Sequence, residues 1–293
     1  MSGIPVRSIL LIVFGLSAAA FSGAVMKLVA ETMPPLLIVW FRFTGYFLLM
    51  LPLVLWRSGG SILQVPRPKM QLLRGLCMAG STVCFISGAR TLDYADAIAI
   101  LYAYPFFLTL SAPWVLGERV SLAAWAGVTG GFIGVLLVVR PSFDGVGLDA
   151  LLVLVCALLV TSQLILNRKL GGVADPLVTS FYGAGVAALV TAFFVPWLWQ
   201  PVSSDEFAML ALLAITAAIS QTAIVFAFTH TAASDLAPFT YTELISAVVF
   251  GWLVFDTLPD SISWAGIALI CLSGIAVARA MAIRNMPRRV PRI

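Results

Sequence analysis

Two ionisable residues in this chain, Arg42 in W-F-R-F and Glu243 in Y-T-E-L, stand inside stretches that otherwise carry no charge. A charge at the centre of a membrane helix costs roughly 2.5–3.5 kcal/mol on insertion scales, so such residues mark ligand, ion or proton pathways by default. Arg42 lies beyond Pro34 by eight residues, which is roughly 12 Å of depth at helical rise. The twelve other acidic residues fall at or beyond the ends of the apolar stretches. Glu243 is thereby the acid placed for proton coupling or for pairing with a substrate amine. Two structural readings stand beside the functional one: Arg42 extends outward to the headgroups, or the two residues form a buried ion pair.

A second constellation is aromatic. The segment A-I-L-Y-A-Y-P-F-F places Tyr102, Tyr104 and Pro105 midway along an apolar run, and A-P-F-T-Y-T-E-L does the same with Pro238, Thr240, Tyr241 and Glu243. A proline within a helix lacks the N–H that would bond the carbonyl four residues back. In lipid that carbonyl is tolerated only where neighbours or cavity water satisfy it. Tyrosine combines a flat apolar face with a hydroxyl, which suits a cavity that stacks side chains and hydrogen-bonds their polar ends. Tyr and Trp also form interfacial belts, but these tyrosines sit too deep for one. Tyr102 and Tyr104 are two apart and cannot share a helix face, so at most one points fully inward unless Pro105 turns the chain. Gln163 and Ser162, and Ser81, Thr82 and Phe85, follow by depth, although Ser and Thr at such positions also glue helices together. The substrate-binding candidates are Arg42, Thr82, Phe85, Tyr102, Tyr104, Gln163, Tyr241 and Glu243, with Pro105 and Pro238 as kinks or gates.

No catalytic set accompanies them. The lone histidine, His230, excludes H-E-x-x-H and suits an interfacial position or a pH sensor; G-x-S-x-G and the G-x-x-x-x-G-K-[ST] loop are absent. Cys77, Cys84, Cys156 and Cys271 lie in apolar stretches without C-x-x-C spacing and read as small buried hydrophobes. An enzyme, a metal site and a bound cofactor are not expected.

The elements that must position these residues are membrane helices. Of 293 residues, 61% are hydrophobic and 10% charged, with a mean hydropathy of +1.05, against about a quarter charged in soluble domains. Soluble, disordered, collagenous and coiled-coil classes are excluded. A crossing needs about 20 mainly apolar residues. Uncharged runs lie at 8–26, 43–56, 75–89, 97–117, 120–139, 150–167, 176–204, 207–229, 236–255 (interrupted by Glu243) and 261–278, which makes ten; the second extends up to Pro34 if Arg42 is accepted in the membrane. The first run exceeds an ordinary signal-peptide core of about 7–15 residues and is expected to be retained. With the N-terminus inside, the cytoplasmic face collects thirteen Lys and Arg, among them Arg57, Arg67, Arg74 and Arg168, while the outer face collects Lys27, Arg90 and Arg140. That asymmetry puts both termini in the cytoplasm. It also assigns the net charge of +4 and the basic tail from Arg284 to orientation and headgroup contact, so no nucleic-acid partner is expected.

The chain also repeats itself. W-A-G-V-T-G-G-F-I-G-V-L-L-V-V-R from Trp125 and W-A-G-I-A-L-I-C-L-S-G-I-A-V-A-R from Trp264 match at five of sixteen positions, each after a short acidic turn. Two halves of five spans, residues 1–142 and 143–293, must enter the bilayer in opposite senses because five is odd. Inverted repeats of this kind place a substrate site near the midplane, where the halves alternate in access. Gly130 and Gly134, four apart, form a small-residue packing face for scaffold or dimer contact.

The five-plus-five count, the segment L-G-E-R-V-S-L-A-A-W-A-G from Leu116 to Gly127 and the segment A-P-F-T-Y-T-E-L from Ala237 to Leu244 resemble the EamA branch of the drug/metabolite transporter superfamily, over almost the entire chain. Within it, the sequence is similar to bacterial YddG-type exporters of amino acids, aromatic ones included. The resemblance implies an all-α basket of ten helices around a central cavity in the bacterial cytoplasmic membrane, with small metabolites and lipid as partners and a monomeric or weakly oligomeric state. The sequence departs from the pattern at its second acidic turn, where Phe255-Asp256-Thr257 stands against Gly117-Glu118-Arg119, so the two gates need not be equivalent. Uptake, drug efflux and a non-transporting membrane scaffold are the competing readings.

Overall fold

A computed structural model describes residues 6–58, 67–115, 117, 122–140, 147–170, 175–230 and 236–284. Regular structure among the described residues is entirely helical. In chain order it comprises α1 (Val6–Val29), α2 (Pro35–Ser58), α3 (Pro68–Ala89), α4 (Tyr94–Leu101), α5 (Tyr104–Val115), α6 (Leu122–Val139), α7 (Leu148–Leu170), α8 (Pro176–Ala192) and the single turn α9 (Val195–Leu198). Next come α10 (Ser204–His230), a 3-10 turn (Ala237–Tyr241), α11 (Thr242–Phe255) and α12 (Ser261–Arg284). Among the described residues, six segments are long and apolar enough to cross a membrane: α1, α2, α3, α4 with α5, α7 and α10; the apolar stretches Ala124–Val139, Pro176–Ala192, Phe239–Phe255 and Ser261–Ala276 are shorter. The exposed surface carries Leu, Phe, Trp and Ile on nearly every helix, as a lipid-facing bundle requires.

Proline sets the helix ends inside the apolar runs. Pro105 cannot bond the carbonyl of Leu101, where α4 stops, and Pro196 cannot bond that of Ala192, where α8 stops. Pro238 lies in the first turn of a 3-10 segment. The tertiary frame is built by lengthwise pairs: α1 on α10, α3 on α7, α2 on α8, and α6 on α12. Glycine permits the last of these. A Cβ at Gly134 would stand 2.6 Å from the Gly266 carbonyl oxygen, and one at Gly266 would stand 2.7 Å from that of Gly134. The Gly130–Gly134 face is therefore spent on α12 inside the chain, as scaffold. The four cysteines are free thiols.

Each end of the bundle has its own polar ties. At the end holding the start of α1 and the last turns of α10, Arg57 pairs with Asp175 at 3.2 Å, and Arg67 donates to the Lys169 carbonyl at 2.6 Å. Asp175 also caps α8 by accepting from the Leu177 N–H at 2.8 Å. Asp175→Ala is expected to cost about 1 kcal/mol, mostly as the lost cap, and Arg57→Ala well under that, because an exposed ion pair contributes little. Thermal unfolding of the two variants in detergent checks the order.

At the opposite end, Thr32 donates to Glu206 at 2.8 Å and Gln200 donates to the Thr32 carbonyl at 3.0 Å. Arg90 donates to the carbonyls of Ala30 and Met33, and Lys27 to that of Leu92. Arg140 pairs with Asp260, and Ser263 donates to Asp96 at 3.1 Å. The Arg140 guanidinium and the Ser263 N–H hold the Asp260 carboxyl down to about 2. A depressed carboxylate contributes stability that is present above its unfolded value and lost as pH falls through the folded one. Asp260→Asn is thus expected to lower the melting temperature equally at pH 5 and pH 8, with the difference closing only below about pH 4 toward pH 2. A melting series across pH checks this.

Candidate functional site

The two broken elements meet at their breaks. α4 ends at Leu101 and α5 begins at Tyr104, while the second break falls between the 3-10 turn and α11. The Tyr102 hydroxyl crosses from one to the other, donating to the Thr240 carbonyl at 2.7 Å. The Tyr102 ring lies 5.7 Å from that of Tyr104 and 5.5 Å from that of Tyr241, centroid to centroid. The turn forced by Pro105 thus removes the spacing rule that keeps Tyr102 and Tyr104 on different faces of a continuous helix. Glu243 is the second residue of α11, and so stands in the first turn of a half-helix rather than in mid-helix. A carboxylate there lies toward the positive end of the α11 dipole.

A cavity of about 160 Å³ opens at this level. Arg42 from α2, Thr82 and Phe85 from α3, Tyr94 from α4 and Glu243 from α11 share its walls. Arg42 is partly buried on the wall of this cavity and makes no ion pair with Glu243. Its Nη1 lies 3.1 Å from the Met26 sulfur, its guanidinium carbon 5.7 Å from the Phe43 ring centroid, and its Nε is buried without a partner. Thr82 spends its hydroxyl proton on the Met78 carbonyl at 2.9 Å, leaving lone pairs for a ligand. Tyr94 is fully buried and donates to the Ala20 carbonyl at 2.5 Å. The result is a small chamber whose walls carry a cation without an ion-pair partner, an acid and the aromatic residues Phe85 and Tyr94.

Four of the residues expected at a site, Arg42, Thr82, Phe85 and Glu243, are brought together here. Tyr102, Tyr104 and Tyr241 form the aromatic cluster behind Glu243, and the walls of this chamber are made without their rings. Gln163 lines a different cavity, of about 530 Å³, between α3, α7, α8 and α10 at the end where Arg57 meets Asp175. The walls of this larger cavity include a residue that charge counting assigns to a loop. Arg74 lies within α3, is 2% exposed, and donates to Asn167 at 2.5 Å and to the Thr179 carbonyl at 2.8 Å. The uncharged run starts at Gly75, but the helix starts seven residues earlier, so a count of charges leaves Arg74 outside. Its position one residue before an apolar run, with the helix-starting Pro68 upstream, is the signal that could have found it. His230 closes α10; Glu118, Arg119 and the tail beyond Arg284 lie outside the described residues.

Comparison with known proteins agrees with this architecture. The EamA-like transporter family matches the chain twice, over residues 6–140 and 148–279. The chain is 30% identical to a riboflavin transporter of Rhizobium johnstonii over 80% of its length and 77% of that protein. It is 28% identical to a pseudopaline exporter of Pseudomonas aeruginosa, with 92% and 95% covered. To an S-adenosylmethionine uptake transporter of Rickettsia conorii it is 25% identical, with 80% and 79% covered. A crystal structure with a TM-score of 0.65 and 20% identity, matching 94% of this chain and 99% of that one, shares the fold. Membrane-length apolar helices, a charged chamber among broken helices and two family matches in tandem lead to one conclusion: the chain is a multi-pass membrane protein of the EamA-like transporter family.

Proposed function

We propose that this protein is a secondary transporter that moves small metabolites across the bacterial cytoplasmic membrane, with amino acids, aromatic ones included, as its substrate class and export as its direction. The observation that carries this reading is the pairing of unneutralised Arg42 with Glu243 on the walls of one chamber. A zwitterion offers a carboxylate to a guanidinium and an ammonium to a carboxylate. Phe85 supplies an apolar wall for its side chain, and the Tyr102 hydroxyl, donated to the Thr240 carbonyl, ties the segment that carries Glu243 to the break after α4.

The transport cycle is alternating access between two five-helix halves, residues 1–142 and 143–293, inserted in opposite senses with both termini cytoplasmic. Helix packing supports this, because each of the main pairings has a counterpart when the halves are exchanged. α1 on α10 corresponds to α7 on α3, α2 on α10 to α8 on α3, and α1 on α11 to α7 on α4 and α5. α2 on α8 and α6 on α12 are their own counterparts. The tandem family match supports it too. In this arrangement the large cavity with Gln163 faces the cytoplasm and the outer end is held shut by the Thr32, Arg90 and Arg140 ties, which is an inward-open state. Pro105 and Pro238 make the breaks at which the halves meet. Cysteines at Gly60 and Gly172 should label from the same side of the membrane, and opposite sides would defeat the topology.

A second reading, uptake or efflux of a larger metabolite, draws on the riboflavin, S-adenosylmethionine and pseudopaline transporters that resemble the chain. Counterflow in proteoliposomes decides between them. Loaded with phenylalanine, vesicles should accumulate labelled phenylalanine and be competed by other amino acids. Exchange of riboflavin or a cationic dye without amino-acid exchange overturns the amino-acid assignment.

A further inference from the structure

The large cavity between α3, α7, α8 and α10 has a feature its volume alone does not require. Arg74 is almost completely buried on its wall, yet its two hydrogen-bond partners, the Asn167 side-chain oxygen and the Thr179 carbonyl, are both neutral. No carboxylate among the described residues pairs with it. A buried cation without a counter-ion is costly, and natural sites that keep one commonly hold it for an anion. A guanidinium has five N–H donors in a planar fork. One bond to α7 and one to α8 fix the plane of that fork and leave further donors for a ligand. Beside it, Gln163, Ser180 and Gln221 present neutral polar groups, with Gln221 donating to Ser180 at 3.4 Å. Leu164, Ile224 and Phe228 make the rest of the wall apolar.

We propose that Arg74 forms a second substrate site, a carboxylate-binding station in the mouth of the transporter, distinct from the Arg42–Glu243 chamber. It takes small apolar carboxylates: the oxyanion sits on the Arg74 fork, the organic part lies against Leu164 and Phe228, and the described residues lining the cavity include no acid to hold an ammonium. This deepens the transport reading, since a substrate would occupy the station before the central chamber, but the binding itself stands or falls without transport. The chemistry that would suit a carboxylate also suits a phosphate, free or on a lipid headgroup.

The test is calorimetric titration of full-length protein in an uncharged, phospholipid-free detergent. It uses Arg42→Gln protein, so that the central cation is gone, with 3-phenylpropionate, inorganic phosphate and phosphatidylglycerol as probes. One 3-phenylpropionate per chain is expected to bind. Adding Asn167→Asp places a carboxylate on Arg74 in the space of the amide, so the fold should melt no lower while 3-phenylpropionate affinity falls at least about tenfold, the loss of one charge-assisted contact. Arg74→Gln should give the same loss, and the Asn167→Asp variant keeps the result readable if Arg74→Gln folds poorly. The proposal is overturned if Arg42→Gln protein binds no 3-phenylpropionate, if Asn167→Asp leaves its affinity unchanged, or if only phosphate or phosphatidylglycerol binds. A failed amino-acid counterflow together with Asn167-sensitive 3-phenylpropionate binding would reject the transport substrate and leave the station standing.

Discussion

Arg42→Gln is expected to lower kcat/KM for amino-acid exchange by roughly 10- to 100-fold, the worth of one or two charge-assisted hydrogen bonds of about 1.5–3 kcal/mol in a desolvated chamber. Glu243→Gln should produce a loss of similar size, but the two losses should differ in kind. The Arg42 variant should still recognise an amine lacking a carboxylate, such as 2-phenylethylamine, as a competitor, while the Glu243 variant should still recognise 3-phenylpropionate at the chamber. The physical ground is that the two side chains share a cavity without an ion pair between them, so each is left to meet its own group of a ligand. If they formed a structural ion pair, removing either would leave a buried unpaired charge and damage the fold, and both analogues would lose together. Competition assays with the two analogues on the two variants, alongside melting temperatures, separate the cases. A Glu243→Gln protein with unchanged rate and unchanged pH dependence would remove Glu243 from the mechanism.

The second large effect concerns stability. Gly134→Leu should abolish recovery of monodisperse protein, or lower its melting temperature severely, because even the first added carbon would stand 2.6 Å from a backbone oxygen and 2.9 Å from the Ile270 side chain. Backbone cannot rotate out of the way as a side-chain tip can, so α6 and α12 must separate along their length. Overpacking of this kind costs about 3 kcal/mol or more where the obstacle is rigid. Gly131→Ala is the matched control. Its nearest foreign atom would be 3.9 Å away, an ordinary contact, so it should purify and melt like the parent. Size-exclusion profiles and thermal melts of both variants check the contrast, and two indistinguishable proteins would show that the α6–α12 contact is not close-packed.

How far these features can be read in advance differs by kind. Arg42 and Glu243 are legible because a charge in an apolar run is visible one residue at a time, without knowing what lies opposite. The ends of α4 and α8 are legible in part, since proline acts on a carbonyl four residues back whatever the tertiary context. Arg74 is not, because its polarity says loop while the helix around it extends seven residues past the apolar run. Nor can the placement of Tyr102 be read: its partner is the Thr240 carbonyl, 138 residues away, and only the meeting of two breaks creates that bond. The tyrosines look like cavity lining by type and depth, yet the Tyr102 ring packs at a tilt against those of Tyr104 and Tyr241 outside the chamber walls.

Composition and the spacing of charges establish that this chain lives in lipid, which stretches are helical and where charge is anomalous, because the cost of a polar group in hydrocarbon is local and large. Which anomalous charges face one another, which stay unpaired and which cavity each one lines depend on how helices distant in sequence pack. That packing follows from close shape fit at places such as Gly134 against Gly266, a property of surfaces in contact that no single stretch of residues carries.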